Sequence, residues 1–180
     1  MLGNKELKVL YSEEDIATRV AEMGRQITAD HQGTDLVVVS VLKGSFVFVA
    51  DLVRHIDLPC SIDFLGLSSY GEETKSSGGV EITRDLSLSI TGKNVLVVED
   101  IVDTGLTIEF LYNRLMEASP LSLKFVTCLL KPVKQKIKEM IEYTGFEISD
   151  SFVVGYGLDY AQKFRGLPSI YSLKEKKGLE

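Results

Sequence analysis

The sequence predicts an α/β protein, with a mostly parallel central sheet flanked by helices. Three observations carry this expectation. Runs such as Leu36–Leu42 (LVVVSVL) and Leu123–Leu130 are apolar at almost every position, which suits strands covered on both faces, as in a parallel sheet. Segments with apolar residues at helical spacing separate these runs. The alternation continues along all 180 residues without repeat or linker, so a single domain is expected.

Taken in order, Ser12-Glu13-Glu14-Asp15 is a capping-box pattern, and Ile16, Val20, Met23 and Ile27 follow at helical spacing. Gly33 falls in the exit loop. Leu36–Leu42 is a buried strand, broken by Lys43-Gly44. Phe46, Val49, Ala50 and Val53 mark a second helix that ends near Pro59. Ser61–Leu67 reads as a strand. Ser68–Gly79 (SSYGEETKSSGG) is polar, lacks periodicity and reads as a long mobile loop, a common form of active-site lid. Val80–Ile90 and Asn94–Val98 are strand candidates. Thr107 opens a helix with the stripe Ile108, Leu111, Tyr112 and Leu115. After the strand Leu123–Leu130 come strand candidates at Phe152–Tyr156 and Ile170–Leu173.

Bulk properties narrow the function. A net charge of −6 argues against a broad face for nucleic acid, although a local nest of N–H groups and lysine can still bind phosphate. No apolar stretch approaches the ~20 residues of a membrane span, and Met1–Leu10 lacks the apolar core of a signal peptide. Cys60 and Cys128 sit in strand-like runs without metal-site spacing, so packing and a reducing, cytoplasmic setting are expected.

Ligands of open α/β sheets bind beyond the carboxyl ends of the strands. There the chain reads Glu99-Asp100-Ile101-Val102-Asp103-Thr104-Gly105-Leu106-Thr107, with three carboxylates within five positions and then Thr-Gly-x-Thr at a helix start. A helix N-terminus favours phosphate, and neighbouring carboxylates suit sugar hydroxyls or Mg²⁺. Together they suggest a ribose phosphate ligand; the alternative is a solvated acidic loop before a capped helix. A Walker A loop is excluded, because Gly-Lys-Ser/Thr is missing.

The segment VLVVEDIVDTGLT resembles the phosphoribosyl-pyrophosphate-binding signature of type I phosphoribosyltransferases. With VLKGSFVF, SSYG, LLKP and FVVGYGLDYAQKFRGLP, the resemblance runs from about Leu36 to Tyr171 and is specific to the hypoxanthine-guanine branch. It implies the type I phosphoribosyltransferase fold, with a small hood from the N- and C-terminal parts and a flexible lid at residues 68–79. It also implies purine salvage. A 5-phosphoribosyl group would pass from phosphoribosyl pyrophosphate to N9 of hypoxanthine or guanine, with Mg²⁺, in a homodimer or homotetramer.

The same resemblance assigns roles by position. Lys43 and Gly44 match the pyrophosphate loop, in which a non-proline peptide before the lysine is often cis. Ser69 and Tyr70 match the start of the lid. Glu99 and Asp100 match acids that contact ribose hydroxyls and assist Mg²⁺, and Asp159 matches a further Mg²⁺ contact. Asp103 matches the general base near purine N7. Thr104, Gly105, Leu106 and Thr107 match the 5′-phosphate cradle, and Arg165 matches a pyrophosphate contact. Lys131 matches the donor to the purine 6-oxo group. Phe152 matches the aromatic stacked on the base, while Val153 and Asp159 lie at its 2-amino edge. On composition alone, Lys131 reads as a surface charge and Phe152 as core. Glu99, Asp100 and Asp159 have too few basic neighbours in sequence to pair them all, which favours a hard cation. Leu106 and Ser151 depart from relatives that carry lysine there, which removes two side-chain contacts. The short N-terminal part resembles the compact bacterial form.

Overall fold

The computed structural model describes residues 5–69 and 80–175. Its larger sheet has six strands: β2 (Leu36–Leu42), β3 (Cys60–Ser69), β4 (Val80–Arg84), β5 (Asn94–Val102), β6 (Ser122–Leu130) and β7 (Ile141–Glu147). Their order is β4-β3-β2-β5-β6-β7, parallel throughout except for the edge strand β4. The expected α/β architecture is therefore the one observed.

Alternate side chains of each strand point to opposite faces, so the sheet separates two cores. Val38, Leu96, Val98 and Val126 pack with α1 (Glu13–Asp30) and α2 (Phe46–Leu52) on one face. Val37, Val39, Val95, Val97 and Phe125 pack with α3 (Leu106–Met116) and the one-turn α4 (Gln135–Lys138) on the other. The capping box starts α1 as expected: the Asp15 N–H donates to Ser12 Oγ, and the Ser12 N–H donates to Asp15 Oδ2 at 2.9 Å. Both cysteines are free, and Cys128 is fully buried in the core.

A second sheet of three strands, ordered β1-β9-β8, joins β1 (Lys5–Tyr11), β9 (Ile170–Glu175) and β8 (Val153–Val154). It brings the two ends of the chain together, which is the hood that the resemblance implies. No helix among the described residues is long and apolar enough to cross a membrane.

Several boundaries differ from expectation, each for a local reason. The strand expected over Val80–Ile90 ends at Arg84. Asp63 turns the chain away from the sheet, because its carboxylate accepts the N–H groups of Ser87 and Leu88 at 2.7 and 2.8 Å. The second helix stops at Leu52 and continues as a 3₁₀ turn, Val53–His55, short of Pro59. β3 runs to Ser69, so Ser68 and Ser69 belong to a strand rather than to the loop. The rest of the expected lid, residues 70–79, lies outside the described residues. Only Val153 and Val154 of the expected Phe152–Tyr156 strand pair in the hood. β1, α4 and β7 were not expected.

Candidate active site

The site lies where the chain order across the sheet reverses. From β2 the chain crosses to β3 on one side, and later to β5 on the other. Such a switch point leaves a crevice at the carboxyl ends of the two central strands. The ladder between β2 and β5 stops at Ser40 and Val98. Beyond it, Val41 and Leu42 pair only with β3, while Glu99, Ile101 and Val102 pair only with β6. This divergence opens the crevice. It also corrects the expectation that β5 ends at Val98: Glu99 and Asp100 are strand residues inside the crevice, not members of a solvated loop.

Two cavities fill it. One, of about 290 Å³, is lined by Lys43, Gly44, Glu99, Asp100, Thr107 and Arg165, among others. The other, of about 210 Å³, is lined by Asp103, Lys131, Phe152, Val153 and Leu158, among others. They share Asp100, Ile101 and Asp159, so they meet there.

The first cavity is built around close backbone approach. The Leu42–Lys43 peptide is cis, as the resemblance implies. A Cβ at Gly44 would lie 1.6 Å from Asp100 Oδ2, so only glycine leaves that carboxylate its place. Gly157, at φ +98, presses on the same loop, and a Cβ there would lie 2.1 Å from the Gly44 carbonyl oxygen. Glu99 is 6% exposed and, with Asp100, has no ion-pair partner among the described residues. Burial first, and then the neighbouring Asp100, push the Glu99 carboxyl well above its ordinary range. Burial pushes Asp100 up to about 6, opposed by backbone N–H donors and by Arg165. Arg165 is held by Asp159, at 2.6 Å, and by the Gly157 carbonyl, at 2.8 Å.

Glu99, Asp100 and Asp159, the acids that the resemblance assigns to Mg²⁺, all line the first cavity. Glu99 is buried and Asp100 partly so, while Asp159 pairs with Arg165, a partner that sequence distance gave no reason to expect.

The second cavity brings together Asp103, Lys131, Phe152, Val153 and Asp159. Lys131 Nζ donates to Asp103 Oδ2 and to Asp150 Oδ1, each at 3.0 Å. Burial works to depress this ammonium, but its hydrogen bonds to Asp103 and Asp150, with their charges, outweigh burial and hold it above its ordinary value. Phe152 is 52% exposed, unlike a core residue, and meets Tyr160 edge-on with ring centroids 5.6 Å apart. An aromatic left open beside a cavity offers its face to a planar ligand.

Thr104, Gly105 and Leu106 line neither cavity among the described residues. They form the turn into α3, where Gly105 adopts φ +83 and a Cβ would meet Ile137 at 2.7 Å. The Leu106 N–H faces Thr104 Oγ1 at 3.4 Å, and the Leu106 side chain points to solvent. Ser69 lies in β3, and Tyr70 lies outside the described residues. Sequence reasoning missed Ile101, which lines both cavities, and Asp150; nothing in their local pattern marks either.

Residues 7–161, which include both cavities' strands and loops up to Asp159, match the family described as the phosphoribosyl transferase domain. The hypoxanthine-guanine phosphoribosyltransferase of Bacillus subtilis is 46% identical over 167 residues, covering 93% of each chain. The enzyme of the same name from Dictyostelium discoideum is 47% identical over 173 residues, covering 94% of this chain and 96% of its own. A crystal structure of a hypoxanthine-guanine phosphoribosyltransferase from Bacillus anthracis superposes with a TM-score of 0.83 at 46% identity, covering 95% of this chain and all of that one. The chain belongs to the hypoxanthine-guanine phosphoribosyltransferase family.

Proposed function

We propose that the protein transfers the 5-phosphoribosyl group of phosphoribosyl pyrophosphate to N9 of hypoxanthine or guanine, giving the nucleoside monophosphate and pyrophosphate in purine salvage. The observation that carries this is the junction of the two cavities at Asp100 and Asp159. A pyrophosphate on the first side and a planar base on the second would bring ribose C1 and the attacking nitrogen together at the junction. The C1–oxygen bond to pyrophosphate breaks as the C1–N9 bond forms, and the base loses one proton.

Each chain residue has a place in this reaction. Lys43 and the N–H groups beside Gly44 face the charge that grows on the departing pyrophosphate, an electrostatic role. Arg165 adds a cation on the same side. Asp103 would take the proton from the base, and a weak base suffices there, because the purine N–H becomes far more acidic as N9 attacks. Lys131 carries only donors and suits the 6-oxo group. Phe152 stacks on the ring, and Val153 meets its edge. Thr104, Gly105 and Thr107, at the start of α3, hold the 5′-phosphate.

The donor set also fits Mg²⁺. The adjacent carboxylates of Glu99 and Asp100, without a counter-ion among the described residues, suit an ion that keeps its waters and takes further oxygens from substrate. Glu99 and Asp100 would hold it, with Asp159 as a further contact, and it would neutralise charge on the pyrophosphate when bound. A cytoplasmic homodimer or homotetramer completes the reading.

The test is pyrophosphate release with hypoxanthine, guanine, xanthine, adenine and uracil in turn. Turnover with hypoxanthine or guanine is expected, with adenine disfavoured by ~10⁴-fold because two donors would face each other at Lys131. Activity is expected to vanish on chelation and to return with Mg²⁺ or Mn²⁺. Equal use of adenine would overturn the choice of base, and full turnover in excess chelator would overturn the metal.

A further inference from the structure

The Lys131 ammonium has three protons. Asp103 takes one and Asp150 a second, each at 3.0 Å, and the third has no protein acceptor among the described residues. The Lys131 side chain is 10% exposed, whereas that of Asp150 is 85% exposed. Asp150 therefore reaches inward from the surface to a nearly buried cation.

Backbone hydrogen bonds fix both ends of this contact. The Lys131 N–H donates to the Val102 carbonyl at 2.9 Å, one residue before Asp103. The Ile148 N–H donates to the Leu130 carbonyl at 2.8 Å, which ties the segment carrying Asp150 to the residue before Lys131. The N–H of Ser151 turns back to the Ser149 carbonyl at 2.7 Å and shapes the bend around Asp150. Lysine has a flexible four-carbon stem, so a single carboxylate would leave its head free to swing about one bond. Two carboxylates on separate segments restrict it, and the remaining proton is directed by the other two.

We propose that Asp150 is a positioning residue for the base: it holds the Lys131 ammonium so that one N–H is presented to the 6-oxo group, and it shares that cation with Asp103. The inference rests on the reaction proposed above. It assigns Asp150 no contact with substrate.

Steady-state kinetics of the full chain test it, with wild type, Asp150→Ala, Asp150→Glu, Lys131→Met and the Lys131→Met/Asp150→Ala pair measured together. Asp150→Ala is expected to raise KM for hypoxanthine about 5–10-fold and to leave KM for phosphoribosyl pyrophosphate within about two-fold, at an unchanged thermal midpoint. Asp150→Glu should recover most of the loss. In the Lys131→Met background, removal of Asp150 should have less than about a two-fold effect, because its action passes through the lysine. An unchanged KM for hypoxanthine in Asp150→Ala, an equal rise in both KM values, or fully multiplicative effects in the pair would overturn the proposal. A wild-type protein inactive on hypoxanthine and guanine would overturn the reaction itself and this inference with it.

Discussion

Asp103 and Lys131 illustrate how one contact limits what each side chain can do. Their 3.0 Å bond places the expected base and the expected 6-oxo donor on one side of the second cavity. Asp103→Asn keeps the oxygen that Lys131 needs and removes the basicity. A fall in kcat of ~10²–10⁴-fold is expected, with phosphoribosyl pyrophosphate affinity nearly unchanged. Single-turnover measurement separates chemistry from product release, and a near wild-type rate there would make the carboxylate structural. Lys131→Met is expected to lose most activity on hypoxanthine yet narrow the gap to adenine, since it removes the opposed donors along with the useful bond. Retention of full discrimination by the Met variant would show that another group selects the base.

At the scale of elements, the site depends on how closely the β2–α2 turn approaches β5. Gly44 makes that approach possible through space, since any Cβ would overlap the Asp100 carboxylate. Gly44→Ala should displace Asp100 or the loop by an ångström or more and lower kcat/KM by at least ~10²-fold, through KM for phosphoribosyl pyrophosphate. A variant within three-fold of wild type would show that the loop yields freely. The elements themselves were unequally legible. β2, β6 and α1 announced themselves through unbroken apolar runs and a capping box, because they are buried on both faces or strongly amphipathic. β7 was missed although its buried Ile141 and Tyr143 alternate with exposed neighbours, because a short edge strand with polar residues resembles a loop. The extension of β5 to Val102 was invisible for a different reason: acids depress strand propensity, and only pairing with β6 keeps Glu99 and Asp100 in the strand. Motif resemblance placed Lys43, Asp103 and Lys131 at one crevice. It could not foresee the pairing of Asp159 with Arg165 or the approach of Asp150, since these depend on how distant loops fold over the sheet.

For the whole molecule, the crevice is a local loss of stability held within an otherwise well-packed fold. The strands beneath it carry fully buried valines and leucines, whereas Glu99 and Asp100 place two acids at the centre of the sheet. A carboxyl whose folded pKa lies above its unfolded value binds more protons when folded. For Asp100 the window runs from its ordinary 3.8 to about 6, so stability is lost as pH rises through that range and is not regained above it. His31 acts in the opposite sense. It is 3% exposed at the end of α1, its Nε2 has no partner among the described residues, and burial foremost lowers its pKa from 6.5. The folded state therefore binds fewer protons there, and stability falls as pH drops through about 6.5. Removing the charge at position 100 separates the two contributions. Asp100→Asn retains an oxygen to accept the Ile101 N–H and removes the ionisation that burial opposes. In metal-free protein at pH 7 it should be more stable by up to ~3 kcal/mol, the equivalent of a shift of about two pH units, and melt roughly 5–10 °C higher. The gain should shrink as pH falls from 6 to 4, where wild-type Asp100 becomes protonated, while the decline due to His31 persists in both proteins. Thermal denaturation across pH 4–8 in chelator reads both slopes. An Asn variant no more stable than wild type at pH 7 would mean that the crevice solvates its acids and that activity is gained there without a stability penalty.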